Sequence, residues 1–212
     1  ADDDVTRWTL DNVATDSATA GTADSLTLSG GASYTTGAAV GSHALLLSGV
    51  GQYASAADSN DLDIGTGDFA ISTWFYRSPN AATNLRILSK GAGTDTTVGY
   101  ALYASDSLVV VALGDGSSRT YAAKAYSGTN QWHHLAVNID RDGFMTVYID
   151  GEPGVPVDIS ASASLDLGTS YAFNLGRNVN SGSQYWPGRL DAVRIYKRLL
   201  SRLEITQLAA EN

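Results

Sequence analysis

The sequence has no cysteine and a single methionine. Without a thiol there is no disulfide framework, no thiolate metal centre and no redox pair. Glutamate is almost as scarce. Glu152, Glu204 and Glu211 are the only three among 22 acidic residues, which leaves 19 aspartates. Lysine and arginine together number 13, so the formal net charge is -9. Such a chain is repelled by phosphate backbones, and no cluster of basic residues interleaved with aromatics offsets that, so nucleic acid is not an expected partner. No window approaches the roughly 18 consecutive apolar residues of a membrane span, and no basic stretch followed by an apolar one opens the chain. A chain whose export signal has been removed, or a module excised from a larger protein, is expected.

Gly, Ser, Thr, Ala and Tyr are abundant instead, a composition that suits short strands and tight turns. Apolar and β-branched runs bounded by Gly, Asn, Asp or Ser predict strands at 5–10, 25–28, 44–48, 52–56, 69–77, 86–90, 100–104, 108–113, 119–126, 132–140, 145–149, 172–175 and 189–196. Asp115-Gly116, Asp142-Gly143 and Asp150-Gly151 suit hairpins, so parallel crossovers are not expected. The one helical period lies near the end, where Leu199, Leu200, Leu203, Ile205 and Leu208 recur beside Ser201 and Glu204, the two ends of a capping box. The most loop-like segments are 13–24, 58–68, 91–98, 158–170 and 178–186. With no linker in between, residues 1–212 are expected to form one all-β domain.

Trp132 to Val137 with Val147 to Gly151, and Gly188 to Tyr196 with Leu200 to Ile205, together resemble the laminin-G-like jelly roll of the concanavalin A-like lectin/glucanase superfamily. Trp132-His133-His134-Leu135-Ala136-Val137 followed by Val147-Tyr148-Ile149-Asp150-Gly151 is similar to its most recognisable strand pair. Gly188-Arg189-Leu190-Asp191-Ala192-Val193-Arg194-Ile195-Tyr196, with Leu200-Ser201 and Glu204-Ile205, resembles its closing strand and helix. Residues 8–11, 45–53 and 58–74 look like its opening segments. Ser48-Gly49-Val50-Gly51 stands where Asp-Gly is commoner, so a ligand from that hairpin would be a backbone carbonyl. The resemblance implies a two-sheet antiparallel jelly-roll β-sandwich with a short C-terminal helix. It also implies a binding role, toward a glycan or polysaccharide or a cell-surface protein, often with one calcium ion at the rim.

The residues narrow the chemistry further. Glycoside hydrolysis needs two flanking carboxylates, and the Glu-x-Asp-x-x-Glu strand of related endoglucanases is absent. His133 and His134 are adjacent on a strand and point to opposite faces, so they cannot serve one ligand together. His43 stands alone in a Gly-Ser turn. Gly49-x-Gly51 and Gly65-x-Gly67 lead into strands, not into the helix that a dinucleotide fingerprint requires. No catalytic residue is assigned.

On a regular pleat Asp191 would share a face with Val193 and Ile195, where a bare carboxylate is costly. Calcium, which takes six to eight oxygens, would relieve that cost; the resemblance implies that the first and last strands are neighbours, which would bring Asp11 and Asp16 to Asp191, with the carbonyl of Gly49 as a further ligand. The alternative is that Asp191 pairs with Arg189 or Arg7 or caps a turn, while Asp11 and Asp16 bond nearby amides. Asp58, Asn60, Asp61, Asp63 and Asp68 form a second acidic cluster whose spacing departs from the hand-type calcium loop, and a turn-forming loop is the simpler reading there.

Sugars stack on exposed aromatic rings. Tyr185 and Trp186, in a Gly- and Ser-rich loop, are the first candidates, followed by Tyr103, Tyr121 and Tyr126. Trp8, Trp74 and Trp132 lie inside strands and are expected in the core. The expectation is therefore a calcium-dependent carbohydrate-binding or adhesion module of a larger secreted or surface protein, bacterial or phage-associated. A structural or protein-adhesive module with a purely structural calcium is the alternative, and a lyase or hydrolase the more distant one.

Overall fold

The computed structural model describes residues 3–79, 82–92, 97–105 and 107–211. Among them sixteen strands form: β1 (Thr6–Trp8), β2 (Thr27–Ser29), β3 (Ser33–Thr36), β4 (His43–Ser48), β5 (Tyr53–Ala56), β6 (Phe69–Arg77), β7 (Leu85–Gly91), β8 (Val98–Ala104), β9 (Leu108–Asp115), β10 (Arg119–Ala125), β11 (Trp132–Ile139), β12 (Phe144–Ile149), β13 (Glu152–Pro153), β14 (Val157–Asp158), β15 (Phe173–Leu175) and β16 (Pro187–Tyr196). The helix α1 (Arg202–Leu208) closes the described chain, with Ser201 and Glu204 making both bonds of the capping box.

Two sheets result. One runs β13-β12-β11-β6-β16-β4-β3, with β1 beside β16 and β14 beside β12; the other runs β10-β9-β8-β7-β15-β5-β2. Every described strand pair is antiparallel, so this is the expected two-sheet jelly-roll sandwich. The strands absent from the sequence reading are β3, β13 and β14. Ser-Tyr-Thr-Thr in β3 has no apolar alternation, and β13 and β14 are two residues each, too short for any period to show. Of the loop expected over 91–98, residues 93–96 lie outside the described residues.

Alternation along each strand fixes what lies between the sheets. Phe69, Ile71 and Phe75 of β6, Leu135, Val137 and Ile139 of β11, and Tyr100, Leu102 and Ala104 of β8 all join one core cluster. Trp8 is fully buried there against Phe173, with ring centroids 5.1 Å apart. Its indole N–H donates to the carbonyl of Asp24 at 2.6 Å.

Four of the aromatic assignments made from sequence need correction. Trp186 is fully buried, edge-on to Phe75 with centroids 6.0 Å apart. Its amide donates to Gly176 at 2.8 Å, so the loop is folded inward around the indole and Trp186 is no sugar platform. Tyr126 is also buried, packed on Phe75 and His133, and its hydroxyl donates to the carbonyl of Ser105 at 2.6 Å. Conversely, Trp74 and Trp132 are half-buried on the outer face of the larger sheet, because their strands send Phe75, His133 and Leu135 inward. Another part of that outer face is covered by α1, whose Ile205 and Leu208 pack with Leu200 over Ala70, Ala136 and Tyr196.

The burial of Trp186 sets a first expectation. Trp186→Ala should cost about 3–5 kcal/mol, the range for large-to-small changes at aromatic core sites, measured by urea denaturation. Trp186→Phe should cost much less, since the indole N–H has no acceptor among the described residues and phenylalanine removes that donor. A Trp186→Ala protein as stable as the parent would return the ring to the surface.

Candidate functional site

The outer face of the smaller sheet carries a groove that follows from the same alternation. Leu85 and Ile87 turn into the core, so Arg86 between them turns out; Tyr100, Leu102 and Ala104 turn in, so Ala101 and Tyr103 turn out. Arg86 and Tyr103 are register partners across β7 and β8. The guanidinium lies over the phenol ring, 4.4 Å from its centroid, in cation–π contact. A bulge between Arg86 and Leu88 restores the inward direction immediately afterwards. On β10, Tyr121 stands opposite Ala112 of β9 and Arg119 opposite Gly114. Small or short side chains at Ala101, Val110 and Ala112, all buried, form the floor between them.

Two hollows result. One of about 360 Å³ is lined by Tyr103, Ala112, Ser117, Ser118, Arg119 and Tyr121. The other, of about 170 Å³, is lined by Asn84, Arg86, Tyr103, Arg119 and Gln184. They share Tyr103 and Arg119 and therefore make one groove. Its far wall is tied down where the amide of Arg86 donates to the carbonyl of Gln184 at 3.0 Å. Its near wall is the turn after β9, where Asp115 Oδ1 accepts from the amides of Ser117 and Ser118 at 2.7 and 2.6 Å, and Oδ2 accepts from the Ser118 hydroxyl at 2.8 Å. These bonds hold the Asp115 carboxyl below its ordinary pKa. Burial, reinforced by the nearby guanidinium of Arg119, lowers Arg86 to about 10, which leaves it protonated at neutral pH.

Of the five aromatic residues singled out from sequence, the fold thus brings Tyr103 and Tyr121 together. Tyr185 lines a separate shallow hollow with Ser48, Gly49, Leu85 and Pro187. Sequence reasoning missed Arg86, Arg119, Asn84 and Gln184, although the alternation of 85–88 and 119–122 carried the signal. It also missed the aromatic patch opposite. There Tyr76 and Trp132 meet edge to face at 5.6 Å, and Arg189 lies over Tyr76 at 4.9 Å.

The residues assigned to calcium do not all converge. Asp191 sits in an irregularity of β16, where the register shifts between Asp191 and Arg194, so the pleat it was expected to obey is broken. Its Oδ2 accepts from the amides of Ala39 and Val40 at 2.9 and 3.0 Å, and its Oδ1 from Ala192 at 2.8 Å. Asp11 reaches the same turn, its Oδ1 accepting from the Ser42 amide, the Ser42 hydroxyl and the His43 amide at 2.7, 2.9 and 2.7 Å. Asp16 instead braces the start of β1, taking the amides of Arg7, Ala18 and Asp24. Gly49 lies beside Pro187, four strand residues from Asp191, or about 13 Å at 3.3 Å per residue. Asp16 and Gly49 therefore drop out of the set. Among the described residues no three His, Cys, Asp or Glu side chains converge in a metal-binding group. The second acidic cluster holds a cation of its own: the buried ammonium of Lys90 pairs with Asp58 and, at 3.1 Å, with Asp63, and donates to the carbonyls of Thr169 and Tyr171.

The histidines obey the alternation. His133 faces inward, hydrogen-bonded to Asp150 at 2.8 Å; His134 faces outward onto the Ser72 hydroxyl at 2.9 Å.

Fold and groove together define a lectin-like β-sandwich. The chain belongs to the laminin-G-3 family of the concanavalin A-like lectin/glucanases superfamily, whose model matches residues 48–206. No curated protein sequence matches it. Among solved structures it is similar to the receptor-binding domain of the botulinum neurotoxin C/D mosaic serotype, at 18% identity and a TM-score of 0.75, covering 98% of this chain and 51% of that one. It is similar at 16% identity and 0.75 to the serotype D binding domain in complex with N-acetylneuraminic acid, covering 98% and 50%. Domain 4 of AbnA, an extracellular arabinanase from Geobacillus stearothermophilus in complex with arabinotriose, aligns at 20% identity and 0.71 over 97% of both chains. The chain thus spans about half the length of the neurotoxin binding domains and the full length of the arabinanase domain.

The carboxyl of Asp191 yields a pH expectation. Burial raises it to about 6, although three backbone amides act in the opposite direction. An acid whose folded pKa lies above its unfolded value near 3.9 binds its proton more tightly in the native state. Stability therefore falls as pH rises from about 4 to 6, by up to about 3 kcal/mol for a shift of this size. Urea unfolding in EDTA should show this decline in the parent and a flatter profile in Asp191→Asn. Parallel profiles would refute the assignment.

Proposed function

We propose that this chain is a carbohydrate-binding module and that the glycan lies along the groove over β7 to β10. The observation that carries the reading is the pairing of Tyr103 and Tyr121, which line one hollow above a floor of small side chains. Aromatic faces offer sugars an apolar surface, and a few placed polar groups set orientation; Asn84, Gln184, Ser117 and Ser118 stand where those groups are needed. The family is lectin-like, and the arabinanase domain, aligned over 97% of its length, is in complex with arabinotriose, which supports the same reading. No Asp or Glu is among the described residues lining the groove. We therefore take the module to bind and not to cleave, as one part of a larger protein working outside the cell.

A second reading rests on the patch of Trp74, Tyr76 and Trp132 on the opposite outer face, which would suit an adhesive contact with a cell-surface protein. Calcium belongs to either reading as a proposal: Asp11 and Asp191, which meet at the 37–43 turn, would hold the ion, and it would fasten that turn to β16.

Isothermal titration against a panel of oligosaccharides tests the groove. Tyr121→Ala and Tyr103→Ala should each weaken binding about tenfold or more, on the order of 1.4 kcal/mol. Tyr121→Ala should leave the melting temperature unchanged, because that side chain is 63% exposed. Undiminished affinity in both variants, with loss in Trp132→Ala, would transfer the site to the other face. For calcium, a ligand of the native state raises the melting temperature. A rise on adding calcium after EDTA, lost in Asp11→Asn, is expected, and no rise would remove the ion from the account.

A further inference from the structure

The hollow at Tyr185 is set apart from the groove in space but not in lining. Gln184 borders both it and the smaller hollow of the groove, and Asn84, also on the groove, stands between Thr83 and Leu85, which line the Tyr185 hollow. At about 470 Å³ that hollow is larger than either half of the groove. Leu85, Tyr185 and Pro187 give it apolar surface, and Ser48, Thr83 and Ser183 give it hydroxyls. This is the same mixture of apolar surface and placed polar groups on which the reading of the groove rests.

The backbone at the junction of the two is held in an uncommon shape. Asn84 and Gln184 both lie in the left-handed region, at φ 57° and 55°. Asparagine tolerates that region, whereas glutamine enters it rarely. Two bonds hold Gln184 there: its carbonyl accepts from the Arg86 amide at 3.0 Å, and its Oε1 accepts from Asn178 Nδ2 at 2.8 Å. Trp186 is drawn into the core two residues on, and Tyr185 between them is left half-buried, lining the hollow. Backbone strain of this kind collects where ligands are held.

Strand spacing gives the span. Tyr121 on β10 and Tyr103 on β8 are two strands apart, about 10 Å at 4.7–4.9 Å per strand. The bond from Arg86 to Gln184 sets residue 184 beside β7 as a further strand would lie, so Tyr185 falls about 10 Å beyond Tyr103. The backbone positions of the three tyrosines therefore span about 20 Å. A site for one terminal sugar gathers its aromatic and polar groups around a single ring; here they are set out over four strand spacings.

We propose that the module binds the interior of a polysaccharide chain, laid from Tyr121 across Tyr103 and past Gln184 to Tyr185, and does not recognise a single terminal sugar. The proposal rests on the glycan reading of the groove and extends that site beyond it. Tyr103 and Tyr121 hold a short segment, and the Tyr185 hollow takes the units that follow, so affinity grows with chain length until that hollow is filled.

Titration of the unaltered protein with arabino-, xylo- and cello-oligosaccharides of two to eight units reads the length dependence directly. In at least one series the hexasaccharide should bind tenfold or more tighter than the trisaccharide, and reducing its terminal aldehyde to the alditol should leave that affinity unchanged. Tyr185→Ala should bring the hexasaccharide down to the affinity of the trisaccharide while trisaccharide binding, which also reports a folded groove, stays as it was. Tyr121→Ala should weaken both. The length series needs no variant, so it decides the matter even where Tyr185→Ala lowers stability. Equal affinity at every length, loss of binding on reducing the chain end, or an equal effect of Tyr185→Ala on short and long chains overturns the proposal and leaves the glycan reading standing. Binding of no oligosaccharide overturns both.

Discussion

β16 has to serve three neighbours, and the way it does so organises the larger sheet. Gly188 to Asp191 and Arg194 to Tyr196 lie against β6, while its other edge is divided: Pro187 to Leu190 pair with β4, and Val193 to Ile195 pair with β1. Between the two partners the ladder is interrupted, with Ala192 at φ 46° and the register shifted. The 37–43 turn, which connects β3 to β4, meets β16 at this interruption. The carboxylate of Asp191 accepts there from Ala39, Val40 and Ala192. Buried amides must be matched somewhere, and here a side chain supplies the match. Asp11 repeats the device one step further along the same turn, so two aspartates join the first strand, the β3–β4 connection and the last strand.

That arrangement explains which parts of the molecule were legible in the sequence. Strands with a clear period, such as Phe69–Arg77 and Trp132–Ile139, were readable because one face must be apolar. The capping box at Ser201 and Glu204 was readable because its two residues bond each other locally. Asp191 could be seen as a buried carboxylate that needs partners. What those partners are could not be seen, because amides carry no sequence signature and lie some 150 positions away. Of the alternative weighed from sequence, the amide bonds expected of Asp11 and Asp16 are present, and Asp191 accepts from the 37–43 turn and not from Arg189 or Arg7.

Aromatic residues were misread for a different reason. A loop rich in Gly and Ser around Tyr185 and Trp186 looks exposed, yet a loop crossing the end of a sandwich can send one large ring into the core, and Trp186 is that ring. A Trp between apolar neighbours on a strand looks buried. On a sheet with a solvent-facing side, however, the neighbours at even spacing decide, and Trp74 and Trp132 alternate with Phe75 and His133. Composition of the surroundings was the wrong guide, and parity along the strand the right one.

Parity also explains why the groove belongs on the smaller sheet. α1 covers part of the larger sheet's outer face, burying Ala70, Ala136 and Tyr196, whereas no described helix lies across β7 to β10. With Leu85, Ile87, Tyr100, Leu102, Val109 and Val111 committed inward, the outward positions range from buried Arg86, Ala101 and Ala112 to exposed Tyr121. They carry Arg86 stacked on Tyr103, Arg119 beside Tyr121, and alanines where larger side chains would close the space. Short side chains on the floor and flat rings at the sides give the groove the shape on which the proposed glycan reading rests.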